Sequence, residues 1–239
     1  IKNQLPEVTV LQVPEKLYEY PRMLRNNLNL FYNLSITSED LNKVGMYKGQ
    51  KKRETLRQEY DDIEDYLSSL DLKIKIFKNN ASMIPRMSQM SQKTNQFNLT
   101  TKRFTDNDIK NFVNDMSFDV FAISVSDKYG DSGVTGLCII EYDYNKKKAI
   151  IDTLLMSCRI IGRNIEFAFI DSIISSLLEK NINVINSAYI RTQKNHQVNE
   201  FYDNCSFSLV KSTDKQKFYE LEIKKYKPKS LAYIEVTHG

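Results

Sequence analysis

Arg159, Gly162 and Arg163 share a short turn, Arg159-Ile160-Ile161-Gly162-Arg163-Asn164, between an apolar run and an amphipathic segment. Residues of this kind at this place can hold a phosphate. The first turn of a helix presents unpaired N–H groups and a partial positive charge, for which an anion is the natural guest. Gly162 lets the backbone approach such a ligand, the two guanidiniums add charge, and Asn164 tolerates a left-handed backbone. Cys158 stands next to Arg159 and close to the expected helix start, a position that suits nucleophilic or acyl-carrying chemistry. The same residues also fit an ordinary strand-to-helix connection with two solvated arginines and a small buried thiol.

The elements around the turn follow from periodicity. Ile150, Ile151, Leu154, Leu155 and Met156 form an apolar run too short for a membrane span and read as a buried strand. Phe169, Ile170, Ile173, Ile174, Leu177 and Leu178 recur at helical spacing, with Asp171, Ser172, Ser175, Ser176 and Glu179 on the opposite face. Residues 120–126 and 134–141 read as a hairpin, and residues 184–190, 207–210 and 218–223 as later strands. Thr105 and Asp108 fit a capping box ahead of a short helix. Met83, Met87 and Met90 line one side of another helix as core filler. Gln89, Gln92, Asn95, Gln96 and Asn98 crowd together behind it, and such amides either satisfy buried backbone or bind a polar substrate. Further upstream a longer helical region carries Leu56, Tyr60, Ile63, Leu67 and Leu70 as one stripe, and Gly45 and Gly49 inside that region could divide it into two helices. Lys48, Lys51, Lys52, Arg53 and Arg57 there form either a docking patch or a solvated face. Leu70, Leu72, Ile74 and Ile76 alternate as a strand, and the polar residues 78–82 mark a domain boundary.

Composition narrows the function classes. With 41% hydrophobic and 27% charged residues the chain is an ordinary globular one, and no transmembrane run is present. A net charge of +4 falls short of a nucleic-acid footprint but suits a phosphorylated cofactor or an acidic protein partner. Two histidines, His196 and His238, do not make a histidine-rich metal site. Cys138, Cys158 and Cys205 are odd in number and widely spaced, the pattern of reduced thiols in a cytoplasm.

The turn resembles the pyrophosphate loop of GNAT-type acyltransferases, Arg/Gln-x-x-Gly-x-Gly/Ala, with Asn164 in place of the final small residue. That loop grips coenzyme A or a phosphopantetheine arm. The resemblance makes Met156, Ser157, Arg159, Ile160, Ile161, Gly162, Arg163 and Asn164 cofactor-binding, together with Asn195 after the next strand. Asn195, Phe201-Tyr202 and Phe207 resemble the closing motif of acetyltransferases, with Ser206 where glycine is usual. In such enzymes the tyrosine protonates the leaving thiolate, so Tyr202 is a candidate general acid, or else an aromatic packing plug. The text RMSQMSQKTNQFNLTTKRF (86–104), with IDTLLMSCR (151–159) and DKYGDSG (127–133), resembles FkbH-like proteins over essentially the whole chain. Those join a haloacid-dehalogenase-like domain to a GNAT-like domain and load a glyceryl unit onto an acyl carrier protein in polyketide-type biosynthesis.

The resemblance implies an α/β chain with an α+β mixed sheet: a GNAT-like acyltransferase domain over residues 82–239, preceded by residues 1–81 as the tail of a dehalogenase-like domain and a helical connector. The opening alternation of Val8, Val10 and Val13 reads as a last strand of that earlier domain, and no Asp-x-Asp-x-Thr phosphatase motif occurs in the chain. The expected function is acyl transfer involving a coenzyme A or carrier-protein phosphopantetheine thioester, with an acyl carrier protein and the dehalogenase-like domain as partners. Cys158 and Tyr202 are the catalytic candidates. Two alternatives are a module that only docks the pantetheine arm, and a coenzyme A-dependent N-acetyltransferase with Asp152 or Glu141 as base.

Overall fold

The computed structural model describes residues 9–31, 42–229 and 231–239. The chain divides into two units, Ile1–Ile36 and Thr37–Gly239. The first carries helix α1 (Tyr20–Asn26), started by Pro21, between single 3-10 turns at Leu17–Glu19 and Leu28–Phe31. None of its described residues is buried, and residues 9–13 form no strand; Val8 lies outside the described residues.

The second unit begins with α2 (Lys43–Arg57) and α3 (Ile63–Ser68), the latter capped by the Asp62 carboxylate on the N–H groups of Glu64 and Asp65. Gly45 and Gly49 do not divide α2. A Cβ at position 49 would stand 3.0 Å from the Tyr129 carbonyl oxygen, so Gly49 lets this helix lie close to a later β-turn.

Nine strands then form one mixed sheet among the described residues. They are β1 (Leu72–Lys78), β2 (Phe97–Asn98), β3 (Phe118–Asp127), β4 (Gly130–Asp143), β5 (Lys148–Met156), β6 (Val184–Ile190), β7 (Ser208–Ser212), β8 (Gln216–Glu222) and β9 (Ile234–His238). The order across the sheet is β7-β8-β6-β5-β4-β3-β1-β9, with β2 paired to β5 off this path. Only β1–β9 and β5–β6 are parallel; the other pairs run antiparallel.

Alternation along the central strands builds a core on each face. Val120 and Ala122 of β3 with Leu137 and Ile139 of β4 pack under α4 (Ile84–Lys93) and α5 (Asp106–Asn114) through Met87, Met90 and Ile109. Phe121, Ile123, Cys138 and Ile140 face the other way, onto α3, α6 (Ile165–Glu179) and α7 (Phe201–Asn204). Met87 and Met90 are core, Met83 packs half-buried against them, and Thr105 with Asp108 does form a capping box at α5.

The boundary expected at residues 78–82 is corrected. β1 is an interior strand, antiparallel to β3 and parallel to β9, so the sheet does not start after it. The polar residues are a tight turn. Asn79 takes a left-handed φ of 50°, donates to Asp119 at 3.1 Å and accepts the Val120 N–H at 2.7 Å.

Asp119 is the polar node at this end of the sheet. It accepts Tyr142 Oη at 2.5 Å and the ammoniums of Lys180 and Lys78 at 2.7 and 2.9 Å. Burial pushes its carboxyl up, but these donors outweigh burial and hold it below the usual carboxylate value. A carboxylate depressed in the folded state contributes stability that is complete above its unfolded pKa and is lost as pH falls through the folded value. Asp119→Asn should therefore lower the unfolding free energy at about pH 6, with the difference from wild type shrinking below about pH 4, in urea titrations across that range.

Candidate active site

The chemistry-bearing turn leaves the end of β5. Met156 is buried, and Ser157 opens a 3-10 turn over Cys158–Ile160, its hydroxyl accepting the Arg159 Nε–H at 3.2 Å. Ile160 drops into the core. Gly162 is exposed at φ 82°, which glycine adopts without strain, and Asn164 takes the left-handed conformation at φ 59° immediately before α6. The Asn164 amide donates to Tyr233 Oη at 2.7 Å. Met156 and Ile160 thus offer a ligand only backbone atoms, and position the turn through burial.

Arg163, expected to add charge at the turn's surface, is turned inward. Its guanidinium is buried, donating to Asp127 at 3.2 Å and to the Arg159 carbonyl at 2.7 Å. Burial and the nearby charge of Arg53 lower its pKa to about 10 against the pull of Asp127. Arg53 grips the same carboxylate in a fork, Nε at 2.6 Å and Nη2 at 2.8 Å. Asp127, with its side chain fully buried, therefore ties α2 and the turn to the β3–β4 connection. The expected basic patch divides accordingly: Arg53 is buried in this triad, while Lys48, Lys51 and Lys52 are solvated.

Above the turn lies a cavity of about 960 Å³. Met46, Tyr47 and Gln50 of α2 roof it, Arg86, Gln89 and Lys93 of α4 wall it, and Ser157, Cys158 and Arg159 form its floor; Asn95, Gln96, Gln193 and Lys194 stand at its edge. Arg159 contacts the Met46 sulfur, and Cys158 is exposed. Five cationic side chains and no carboxylate line the space. The amide cluster answers the question it posed by dividing. Gln89, Asn95 and Gln96 face the cavity, whereas Gln92 donates to the Phe104 carbonyl and Asn98 bridges Thr94 and Thr101. The share of α2 in this cavity had no signal in the sequence beyond its charges.

Beside the cavity the sheet opens. Ile139 pairs with Thr153 and Ile140 with Ile151, leaving Asp152 as the extra residue of a β-bulge, and β5–β6 pairing ends at Ile151 and Ser187. Beyond that point the two strands diverge around β2. Asn195 is fully buried there, donating to the carbonyls of Asn98 and Ile190, both at 2.9 Å, and accepting the Thr192 N–H at 2.8 Å. Its expected role at the cofactor is corrected to that of a clamp on the chain's own backbone.

Tyr202 is buried, packed among Phe201, Phe207 and Tyr219. Its hydroxyl is buried beside that of Ser187, and burial pushes the phenol well above its usual pKa. Asp152 is ion-paired with Lys102, and neither it nor Glu141 lines the cavity.

No family model matches the chain, and no curated protein matches it in sequence. Solved structures do. A chimera of the spermidine N-acetyltransferase SpeG from Vibrio cholerae and hSSAT superimposes with a TM-score of 0.50 at 12% identity, over 64% of this chain and 97% of that one. The fold is a GNAT fold. The ribosomal-protein-S18-alanine N-acetyltransferase from Escherichia coli gives a TM-score of 0.49 at 10% identity, over 63% of this chain and 94% of that one. The Vibrio cholerae spermidine N-acetyltransferase in complex with CoA and spermine gives 0.49 at 11% identity, over 64% and 97%. Likeness at such identities speaks for the fold alone. Among the described residues no helix is long and apolar enough to cross a membrane, and no cluster of His, Cys, Asp and Glu could hold a metal ion.

Asp127→Asn should cost about 3–5 kcal/mol of stability, because it leaves two buried guanidiniums without their counter-charge. Chemical denaturation of wild type and variant at neutral pH measures this directly.

Proposed function

We propose that this chain is an acyltransferase acting on a phosphopantetheine thioester, carried by coenzyme A or by an acyl carrier protein. The observation that carries the reading is the cavity at the end of β5, rich in cations and free of carboxylates among its lining residues, at the mouth of an opened sheet. Coenzyme A, the ligand of the Vibrio cholerae enzyme in its complex, and a carrier-protein arm share the phosphate and the diamide chain that such a site would recognise. Ser157, Arg159 and the backbone around Gly162 would hold the phosphate.

Cys158 is the candidate acyl acceptor, exposed on the cavity floor. Its sulfur would attack the thioester carbonyl, forming an acyl-cysteine as the carbon–sulfur bond to the arm breaks. The proton that the Cys158 thiol gives up would go to the departing thiolate of the arm, with the Tyr202 hydroxyl as the candidate relay. Exchange between thiols also suits the lining, which holds neither carboxylate nor histidine to deprotonate an amine. The sequence resemblance supplies the finer reading: a glyceryl unit as the acyl group, an acyl carrier protein as partner and a dehalogenase-like domain in the same polypeptide. The cytoplasm is the compartment that three free thiols favour.

One observation favours a second reading. The opening between β5 and β6 is filled by residues 97–100, which suits a module that docks the phosphate end of the arm and performs no chemistry.

Calorimetric titration with coenzyme A and with a pantetheinylated carrier protein tests the binding. Arg159→Ala should weaken both by about tenfold, the worth of one charge-assisted contact; equal affinity would remove the turn from the site. Intact-mass measurement after incubation with an acyl thioester separates the two readings. An acyl adduct absent from Cys158→Ala, and formed about a hundredfold more slowly in Tyr202→Phe, supports catalysis; binding with no transfer supports docking.

A further inference from the structure

We propose that the outer face of α2 is a docking surface for an acidic carrier protein, which presents its phosphopantetheine arm to the cavity beneath that helix. The inference rests on the phosphopantetheine reading of the preceding section and deepens it, since it chooses between the arm's two carriers and names the surface that makes the choice.

The face follows from helical spacing. Val44, Tyr47, Lys48, Lys51, Lys52 and Thr55 recur at alternating intervals of three and one, which puts them on one side of α2, and all six are exposed. Lys48, Lys51 and Lys52 make no ion pair among the described residues. The one carboxylate of α2, Glu54, lies at the edge of the face and accepts the Gln50 amide at 3.1 Å. The face is therefore net positive even with Glu54 counted.

The opposite face anchors the helix over the cavity. Met46 and Gln50 line that space, Gly49 lies against the Tyr129 carbonyl, and Arg53 is forked onto the buried Asp127. The lysines are thus presented from a fixed platform. Tyr47 joins the two faces, since it lines the cavity and is 66% exposed.

Reach decides what kind of partner fits. Lys48, Lys51 and Lys52 are not among the residues that line the cavity. A helix with its side chains is about 10–12 Å across, so a small ligand seated beneath α2 does not meet lysines on its far side. A partner that engages both must be a macromolecule with a slender anionic arm and an anionic body. A carrier protein with an acidic face supplies both parts, and opposite charge across the contact steers its approach. Lys93 and Lys194, exposed at the cavity rim, extend the same charge to the mouth that the arm would enter. Coenzyme A would use the cavity alone, and a nucleic acid has the anionic surface without the arm.

Calorimetric titration of the full chain with coenzyme A, and with an acidic acyl carrier protein bearing its arm, tests the surface. With Lys48→Glu, Lys51→Glu and Lys52→Glu combined, affinity for the carrier should fall at least about tenfold while affinity for coenzyme A stays at the wild-type value, which also shows that the variant is folded. Lys48→Gln, Lys51→Gln and Lys52→Gln combined should give an intermediate loss. Wild-type affinity for the carrier should weaken as ionic strength rises from about 0.05 M to about 0.5 M, and the charge-reversed variant should show a flatter dependence. Unchanged carrier affinity in that variant, even with binding to a DNA duplex lost, would overturn the docking surface and leave the phosphopantetheine reading standing. An equal loss of coenzyme A affinity would do the same, because the lysines would then act on the cavity itself, as would wild type that binds coenzyme A but not the carrier. Wild type that binds neither would overturn both.

Discussion

Two parallel strands that part company inside a sheet impose a demand on everything near them, because every buried N–H and C=O beyond the last shared bond must find another partner. The bulge at Asp152 creates that situation here, shifting β5 by one residue against β4 and releasing β6 after Ser187. The two-residue strand β2, the amide of Asn195 and the hydroxyl of Thr100 are all answers to it. The cavity lies beside this defect in the sheet, where the strand pairing is least regular.

The second organising feature is electrostatic and lies on the other side of the turn. Asp127 pairs with Arg53 and Arg163 together, and through them fixes α2 over the loop that follows β5. Because both guanidiniums are buried, the carboxylate holds three segments in register while leaving Arg159 as the turn's cation toward the cavity. A cavity lined by cations thus has a buried anion close behind it, outside its lining. Specific charge placement, more than net charge, makes the cavity cationic.

Much of this was legible in the sequence where the signal was local. The helical stripe of α6, the alternation of β1 and the capping box at Thr105 each follow from residues within a turn or two of one another, and Asn164 adopts the left-handed backbone its side chain tolerates. What could not be read depends on partners far apart along the chain. Arg163 looks like a solvated cation until Asp127 is brought to it, and Asn195 looks like a ligand residue until Asn98 lies beneath it. Residues 78–82 have the composition of a linker but form a turn, because Asp119 and Val120 bind Asn79 from another strand. Strand β2 is too short for any periodicity and exists only because β5 offers it an edge.

The parallel pairing of β9 with β1 joins the last described strand of the unit to its first, with Leu72 opposite Ile234 and Ile76 opposite His238. All other strands of the sheet lie between them in sequence, so this seam is the most non-local contact in the fold and closes late in any folding path that favours short loops. During synthesis, the free edge of β1 is therefore exposed until the residues of β9 have left the ribosome. Lys73 and Lys75, which alternate with the apolar residues of that strand, give the waiting edge the positive charge that discourages unwanted strand pairing.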